Sequence, residues 1–166
     1  AEREKRERTG LFYFRGRPGA PFALIFPGGG FAYIGSLHEG FPLAEVLSRE
    51  GYNAFVLHYR TGGPAVAYED MAAALSWIFR HAEELEASTQ GYSVWGGSAG
   101  ARMAADLGSY GAAAFGGDSV PRPATVVMAY TGHDRYTESD PPTFAVVSED
   151  DPIASPRVME RRIAAL

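Results

Sequence analysis

The chain alternates short apolar runs with stretches in which apolar residues recur every third or fourth position, and glycine or proline stands between them. Residues 22–26, Phe22-Ala23-Leu24-Ile25-Phe26, are continuously apolar, as a strand covered on both faces requires, and they run into Pro27-Gly28-Gly29-Gly30. Leu43, Val46 and Leu47 then fall at helical spacing, with Gly51 placed to end that helix in a left-handed turn. Residues 54–57 predict the next buried strand. Gly62-Gly63-Pro64 opens a long helix with Met71, Leu75, Ile78, Ala82 and Leu85 on its apolar face, and Glu69 and Asp70 suit its positive N-terminal end. Residues 92–95 predict a strand, 96–100 a turn, and Met103 and Leu107 a following helix, while the Gly-, Ala- and Ser-rich residues 108–119 read as a loop. Two more apolar, β-branched runs occupy 124–130 and 143–147, and Ser155-Pro156 opens a last helix with Met159, Ile163 and Leu166 on one face. An aromatic run at 11–14, closed by Gly16, Pro18 and Gly19, predicts a strand near a sheet edge.

Strands alternating with helices define an α/β protein whose sheet is mainly parallel, with right-handed crossovers and helices on both faces. With 166 residues and no repeat or linker, one domain over 1–166 is expected, its charged residues 1–8 disordered. Hydrophobic residues make up 46% of the chain, which excludes disorder as a whole. The 15 Lys+Arg against 20 Asp+Glu offer no positive field for a polyanion, so nucleic acid is not an expected partner. Without cysteine there is no disulfide, thiolate nucleophile or Cys-held zinc. No apolar run approaches bilayer length, and residues 1–8 carry no signal-peptide pattern, so no membrane partner and a cytoplasmic location are expected. Because the chain begins at Ala1, an N-terminal segment is expected to have been removed. A homo-oligomer stays open.

The strongest chemical signal is Gly96-Gly97-Ser98-Ala99-Gly100, a G-x-S-x-G between a predicted strand and a predicted helix. A serine at so sharp a turn is held strained with its hydroxyl exposed, and the helix beyond it points free N–H groups toward the same spot. Such a pattern also arises as a plain tight turn, but a second glycine cluster at 27–30, again directly after a strand, supplies the backbone donors that acyl transfer needs. A phosphate cradle is the competing reading of that cluster. No Gly-Lys-Ser/Thr follows it, and neither cluster fits G-x-G-x-x-G. A carboxylate in the loop after the 143–147 strand would orient a base, and Asp151 is preferred over Asp150 there, with an acidic loop capping the next helix as the plainer alternative.

Residues 27–31, the segment 35–42, the 96–100 turn and Asp150-Asp151-Pro152-Ile153 together resemble the α/β-hydrolase superfamily. Within it, the chain is similar to acetyl-esterase-like and hormone-sensitive-lipase-like serine esterases, in a branch of carbohydrate-ester and xylan esterases and dienelactone-hydrolase relatives. The resemblance runs from about Thr9 to the end. It implies Ser98 as nucleophile, Asp151 as acid, and Gly29, Gly30 and Ala99 as oxyanion donors, acting on a small-molecule ester without cofactor or metal. Pro27 stands where many relatives carry histidine, which should alter the anchoring of the loop and leave its glycine donors intact.

In this fold the general base follows the acid, yet His38, His58, His81 and His133 all precede Asp151. His81 reads as a surface residue, and His58 as packing on Tyr59 or pairing with a carboxylate. His38 and His133 fall beyond strand ends, where they could line the pocket, as could Phe31; Tyr33 and Phe41 could add an apolar acyl wall. Three explanations compete. The chain lacks a last strand, a His-bearing loop and a final helix; or His133 or His38 serves from an unusual position; or the protein is a catalytically silent relative acting as a binding module. Short-chain acyl esters, acetyl esters and carbohydrate esters among them, are the expected substrates, since little material between 130 and 143 could form a lid. Serine peptidases and thioesterases use the same turn and remain the other enzymatic alternative.

Overall fold

The computed structural model describes Glu7 and residues 9–166. Apart from Glu7, the expected disordered lead at 1–8 lies outside the described residues. Strands β1 (Gly10–Phe14), β2 (Pro21–Phe26), β3 (Asn53–His58), β4 (Ser88–Gly97), β5 (Thr125–Ala129) and β6 (Thr143–Val146) form one sheet in the order β1-β3-β2-β4-β5-β6. β1 runs antiparallel to β3 at one edge; every other pairing is parallel. Parallel neighbours need crossovers, supplied by helices α1 (Phe41–Arg49), α2 (Pro64–His81) and α3 (Ala99–Tyr110), with α4 (Pro156–Ala165) after β6.

The continuously apolar strands are explained by burial on both sides. Phe22, Leu24 and Phe26 of β2 join Phe55, Val94 and Met128 under α2, α3 and Met159 of α4. The alternate residues Ala23 and Ile25 turn the other way and meet Ala44 and Leu47 of α1. Strand periodicity thus puts helices on both faces, as expected. α1 reaches the β2 and β3 half of its face, and Phe144 and Val146 of edge strand β6 stay 62% and 51% exposed.

Three local readings differ from the structure. The long helix stops at His81, and the chain doubles back through 82–87 to enter β4, with Glu86 at φ 53° and Leu85 still packed on the core. The helix after Ser98 continues through Gly108 to Tyr110, because Gly108 lies against Val126 and Pro141, where a larger residue would not fit. A close contact, and not a chain break, placed that glycine. In α4, Met159 is buried, but Ile163 and Leu166 face solvent and Arg162 takes the inward position. Its guanidinium meets Asp140 at 2.8 Å with both side chains 1% exposed, and its Nε lies 3.5 Å from Met128 Sδ.

A buried pair broken from one side leaves a charge in apolar surroundings. Asp140→Ala is therefore expected to lower unfolding free energy by about 3 kcal/mol, whereas Asp140→Ala with Arg162→Met should cost much less. Urea denaturation of the two variants checks the difference.

Candidate active site

Parallel register sets the strand ends side by side. Phe26 pairs with Gly96, Gly96 with Met128, and Met128 with Ala145. The carboxyl ends of β2, β4, β5 and β6 therefore deliver the glycine loop, Ser98, residues 130–134 and the Asp151 loop to one edge, where sites form in such sheets.

Ser98 occupies φ 52°, ψ −117°, a conformation that side chains rarely adopt. Its N–H donates to the Ala129 carbonyl at 2.8 Å, and its own carbonyl accepts from Arg102 N–H at 3.2 Å, so neighbouring strand and helix both hold the turn. The turn presses on β2: a Cβ at Gly100 would land on the Phe26 carbonyl. Ala99 starts α3, and N–H groups at a helix start have no partner within the helix.

The glycine loop is anchored from two sides. The Tyr59 hydroxyl donates to the Pro27 carbonyl at 2.6 Å, and Gly28 N–H donates to Glu39 Oε2 at 2.6 Å. Gly29 and Gly30 sit at φ 136° and 62°, and their N–H groups donate to no acceptor among the described residues.

Ser98, Gly29, Gly30, Glu39, Tyr130 and Asp151 line one cavity of about 380 Å³. Asp151 Oδ1 accepts N–H groups from Ala154 at 2.7 Å and Ile153 at 2.8 Å, and these bonds hold its carboxyl below the usual carboxylate range. A second cavity of about 420 Å³ shares Ser98 and is lined by Ala99, Phe31, Arg102, His133 and Arg135. His38 borders a third, neighbouring cavity that shares Glu39 and Tyr130 with the first and does not include Ser98. Asp150 is exposed and lines neither Ser98 cavity. Tyr33 lies 68% exposed at the rim of the first. Phe41 is no acyl wall: it packs on Phe12 and Phe14 with ring centroids 5.0 and 5.8 Å apart.

His133 is buried, its Nε2 3.2 Å from Oδ1 of Asp106, a carboxylate 1% exposed on α3. The ring is too poorly aligned there for a well-formed hydrogen bond. The other Asp106 oxygen accepts from the Tyr68 hydroxyl at 2.5 Å and from Arg135 at 3.1 Å. Burial pushes the Asp106 carboxyl up, but His133, Tyr68 and the Arg135 charge outweigh it and hold the group below its ordinary 3.8. His58 pairs through Nδ1 with the Ser36 hydroxyl at 2.9 Å, not with a carboxylate, and burial lowers its pKa. His81 stacks on Trp77 at the end of α2.

The motifs marked Ser98 and the glycine loop. Glu39 lies within the 35–42 segment but is assigned no role there, and Asp106 lies in none of the segments that carry the resemblance. The signal for Glu39 is a carboxylate inside that segment, eleven residues after Gly28, and for Asp106 a charge on an otherwise apolar and small-residue helix face.

A sequence profile of the alpha/beta hydrolase fold family matches residues 24–165, and the chain belongs to that family. No curated protein sequence matches it. Among solved structures it is similar to MGS-M1, an alpha/beta hydrolase enzyme from a Medee basin deep-sea metagenome library, at 28% identity and TM-score 0.74, covering 89% of this chain and 64% of that one. An acetyl ester-xyloside bifunctional hydrolase from Caldicellulosiruptor lactoaceticus follows at 20% identity and TM-score 0.79, covering 95% and 72%. A thermophilic esterase from Thermogutta terrifontis gives 18% identity and TM-score 0.79, covering 95% and 71%. The last two likenesses concern the fold. The chain thus spans under two-thirds of MGS-M1. Among the described residues, no helix is long and apolar enough to cross a membrane.

Two stability outcomes follow from this geometry. Ser98→Gly should raise unfolding free energy by about 1 kcal/mol, since glycine adopts the Ser98 backbone conformation without strain; thermal denaturation checks it. For Asp106, a depressed carboxyl pKa stabilises the fold above the unfolded value and the contribution is lost as pH falls through the folded one. Asp106→Asn should therefore lie below wild type at neutral pH, and the gap should close as pH falls below 3.8, measured by urea midpoints across acid pH.

Proposed function

We propose that the chain carries the acyl-transfer centre of a serine carboxylesterase for short acyl esters, acetyl esters on carbohydrate among them. The observation that carries this reading is a single cavity in which the strained Ser98 faces Gly29, Gly30 and Asp151. Ser98 Oγ attacks the ester carbonyl. The N–H groups of Gly29, Gly30 and Ala99 hold the negative oxygen, the proton given up by Ser98 Oγ is passed to the departing alkoxide so that it leaves as the alcohol, and water then cleaves the acyl-enzyme to release acid and free Ser98. The short connection from β5 to β6, residues 130–142, leaves the cavity open, which favours a small acyl group. The family supports hydrolysis of small molecules, and the bifunctional acetyl ester-xyloside hydrolase supports an acetylated sugar as the substrate type.

The acid in this reading is Asp151, and none of the described histidines lines the cavity it shares with Ser98. A second reading draws the base from within the chain: His133 borders a Ser98 cavity and touches the buried Asp106 carboxylate. There His133 would take the Ser98 proton and return it to the leaving alcohol, with Asp106 stabilising the imidazolium.

Hydrolysis of p-nitrophenyl acetate should fall by roughly three orders of magnitude in Ser98→Ala. Equal turnover in that variant would refute the reading, and no turnover in wild type would leave a binding module. His133→Gln tests the second reading: a comparable loss supports His133 as the base, and retained turnover rules it out. Thioester and peptide substrates in the same assay test the other acyl-transfer classes.

A further inference from the structure

Glu39 is given no role by the sequence within the 35–42 segment, yet it sits where the glycine loop, the Ser98 turn and Tyr130, just past β5, converge. Its segment, residues 36–40, forms one wide helical turn that leads into α1, and Glu39 N–H donates to the Gly35 carbonyl at 2.8 Å. Gly35 N–H in turn donates to the Gly28 carbonyl at 2.9 Å, so backbone bonds tie the turn to the loop. The side chain completes that tie with a short charge-assisted bond from Gly28 N–H at 2.6 Å. The neighbouring glycines give the position of the carboxylate. A Cβ on Gly28 would stand 3.0 Å from Glu39 Oε2 and 3.1 Å from Ser98 Cβ, and one on Gly97 would stand 2.9 Å from the same oxygen and 2.5 Å from the Tyr130 hydroxyl. Tyr130 itself is held at φ 38°, and its N–H donates to the Val146 carbonyl at 2.8 Å. Burial first, then the Glu39 charge and contact, push the Tyr130 phenol pKa up, as expected of a hydroxyl kept protonated beside a carboxylate.

We propose that Glu39 is a positioning residue of the acyl-transfer centre: bound to Gly28 N–H and set against the Tyr130 hydroxyl, its carboxylate clamps the glycine loop to the Ser98 turn. The clamp fixes where the next two N–H groups, those of Gly29 and Gly30, point relative to the Ser98 hydroxyl. Donors aimed at a developing oxyanion act only if they are in place beforehand, so a loop free to shift loses turnover more than substrate binding. Because the carboxylate lies near the site of the oxyanion, its charge does not help the reaction; the acceptor geometry does. Glutamine keeps an acceptor for Gly28 and removes the charge, whereas alanine removes both. This inference rests on the reading of Ser98 as nucleophile, and its test separates the two.

Wild type, Glu39→Gln, Glu39→Ala and Ser98→Ala of the full chain are compared by amide hydrogen exchange at Gly28 and by kcat and KM on p-nitrophenyl acetate. In Glu39→Ala, exchange at Gly28 should rise at least tenfold with exchange at Leu24 and Val94 unchanged, and kcat should fall ten- to a hundredfold with KM within about threefold. Glu39→Gln should stay within about threefold of wild type in both measures, a rescue that a role for the charge would not give. Unchanged exchange in Glu39→Ala, or faster exchange with unchanged kcat, overturns the clamp. If Ser98→Ala retains full turnover, or wild type has none, the esterase reading fails while exchange at Gly28 still decides whether Glu39 holds the loop.

Discussion

The site depends on one close approach, that of the Ser98 turn to the end of β2. The parallel register of β2 with β4 pairs Phe26 with Gly96, and the turn that follows β4 lies so near the Phe26 carbonyl that only glycine fits at position 100. That contact fixes two things at once. It holds the Ser98 backbone in its strained conformation, and it sets the glycine loop, which leaves β2 one residue later, on the far side of the same cavity. Strain of this kind persists only where the surroundings over-determine it. Here the surroundings are the Ala129 carbonyl, the first turn of α3 and the core beneath both.

From this constraint the layers follow in order. A sheet buried on both faces needs strands with apolar residues at every position, and Phe22 to Phe26 supply them, Phe22, Leu24 and Phe26 toward α2 and α3 and Ala23 and Ile25 toward α1. Parallel strands bring all their carboxyl ends to one edge. Chemistry-bearing loops then meet there without being adjacent in sequence, and Asp151 reaches the Ser98 cavity although fifty-three positions separate the two in the chain. The polar groups in this region are organised in two sets. Glu39 and Tyr130 lie on the glycine-loop side of Ser98, while Asp106, Tyr68, His133 and Arg135 form a buried network on the α3 side.

Much of the fold was legible because its signals are local. An apolar run next to glycine marks a buried strand, and G-x-S-x-G after such a run marks the turn. The contacts that sequence could not reveal are long-range. Gly108 reads as a loop residue until Val126 and Pro141 are seen against it, and Ile163 and Leu166 read as inward-facing until Arg162 is seen paired with Asp140 in their place. The same limit separates Phe31, which lines a Ser98 cavity, from Phe41, whose ring is taken up by Phe12 and Phe14. His38 and His133 were equivalent in sequence, each just beyond a strand end. Only the structure sets His133 beside Asp106 in a cavity that Ser98 also lines, and leaves His38 in a neighbouring cavity.

The most direct test is to treat the chain with a fluorophosphonate, digest it and locate the adduct by mass spectrometry. A nucleophile exposed at a strained turn and facing free backbone N–H groups should carry a single adduct, on Ser98. An unmodified chain, or an adduct spread over other serines with Ser98 untouched, would contradict the account.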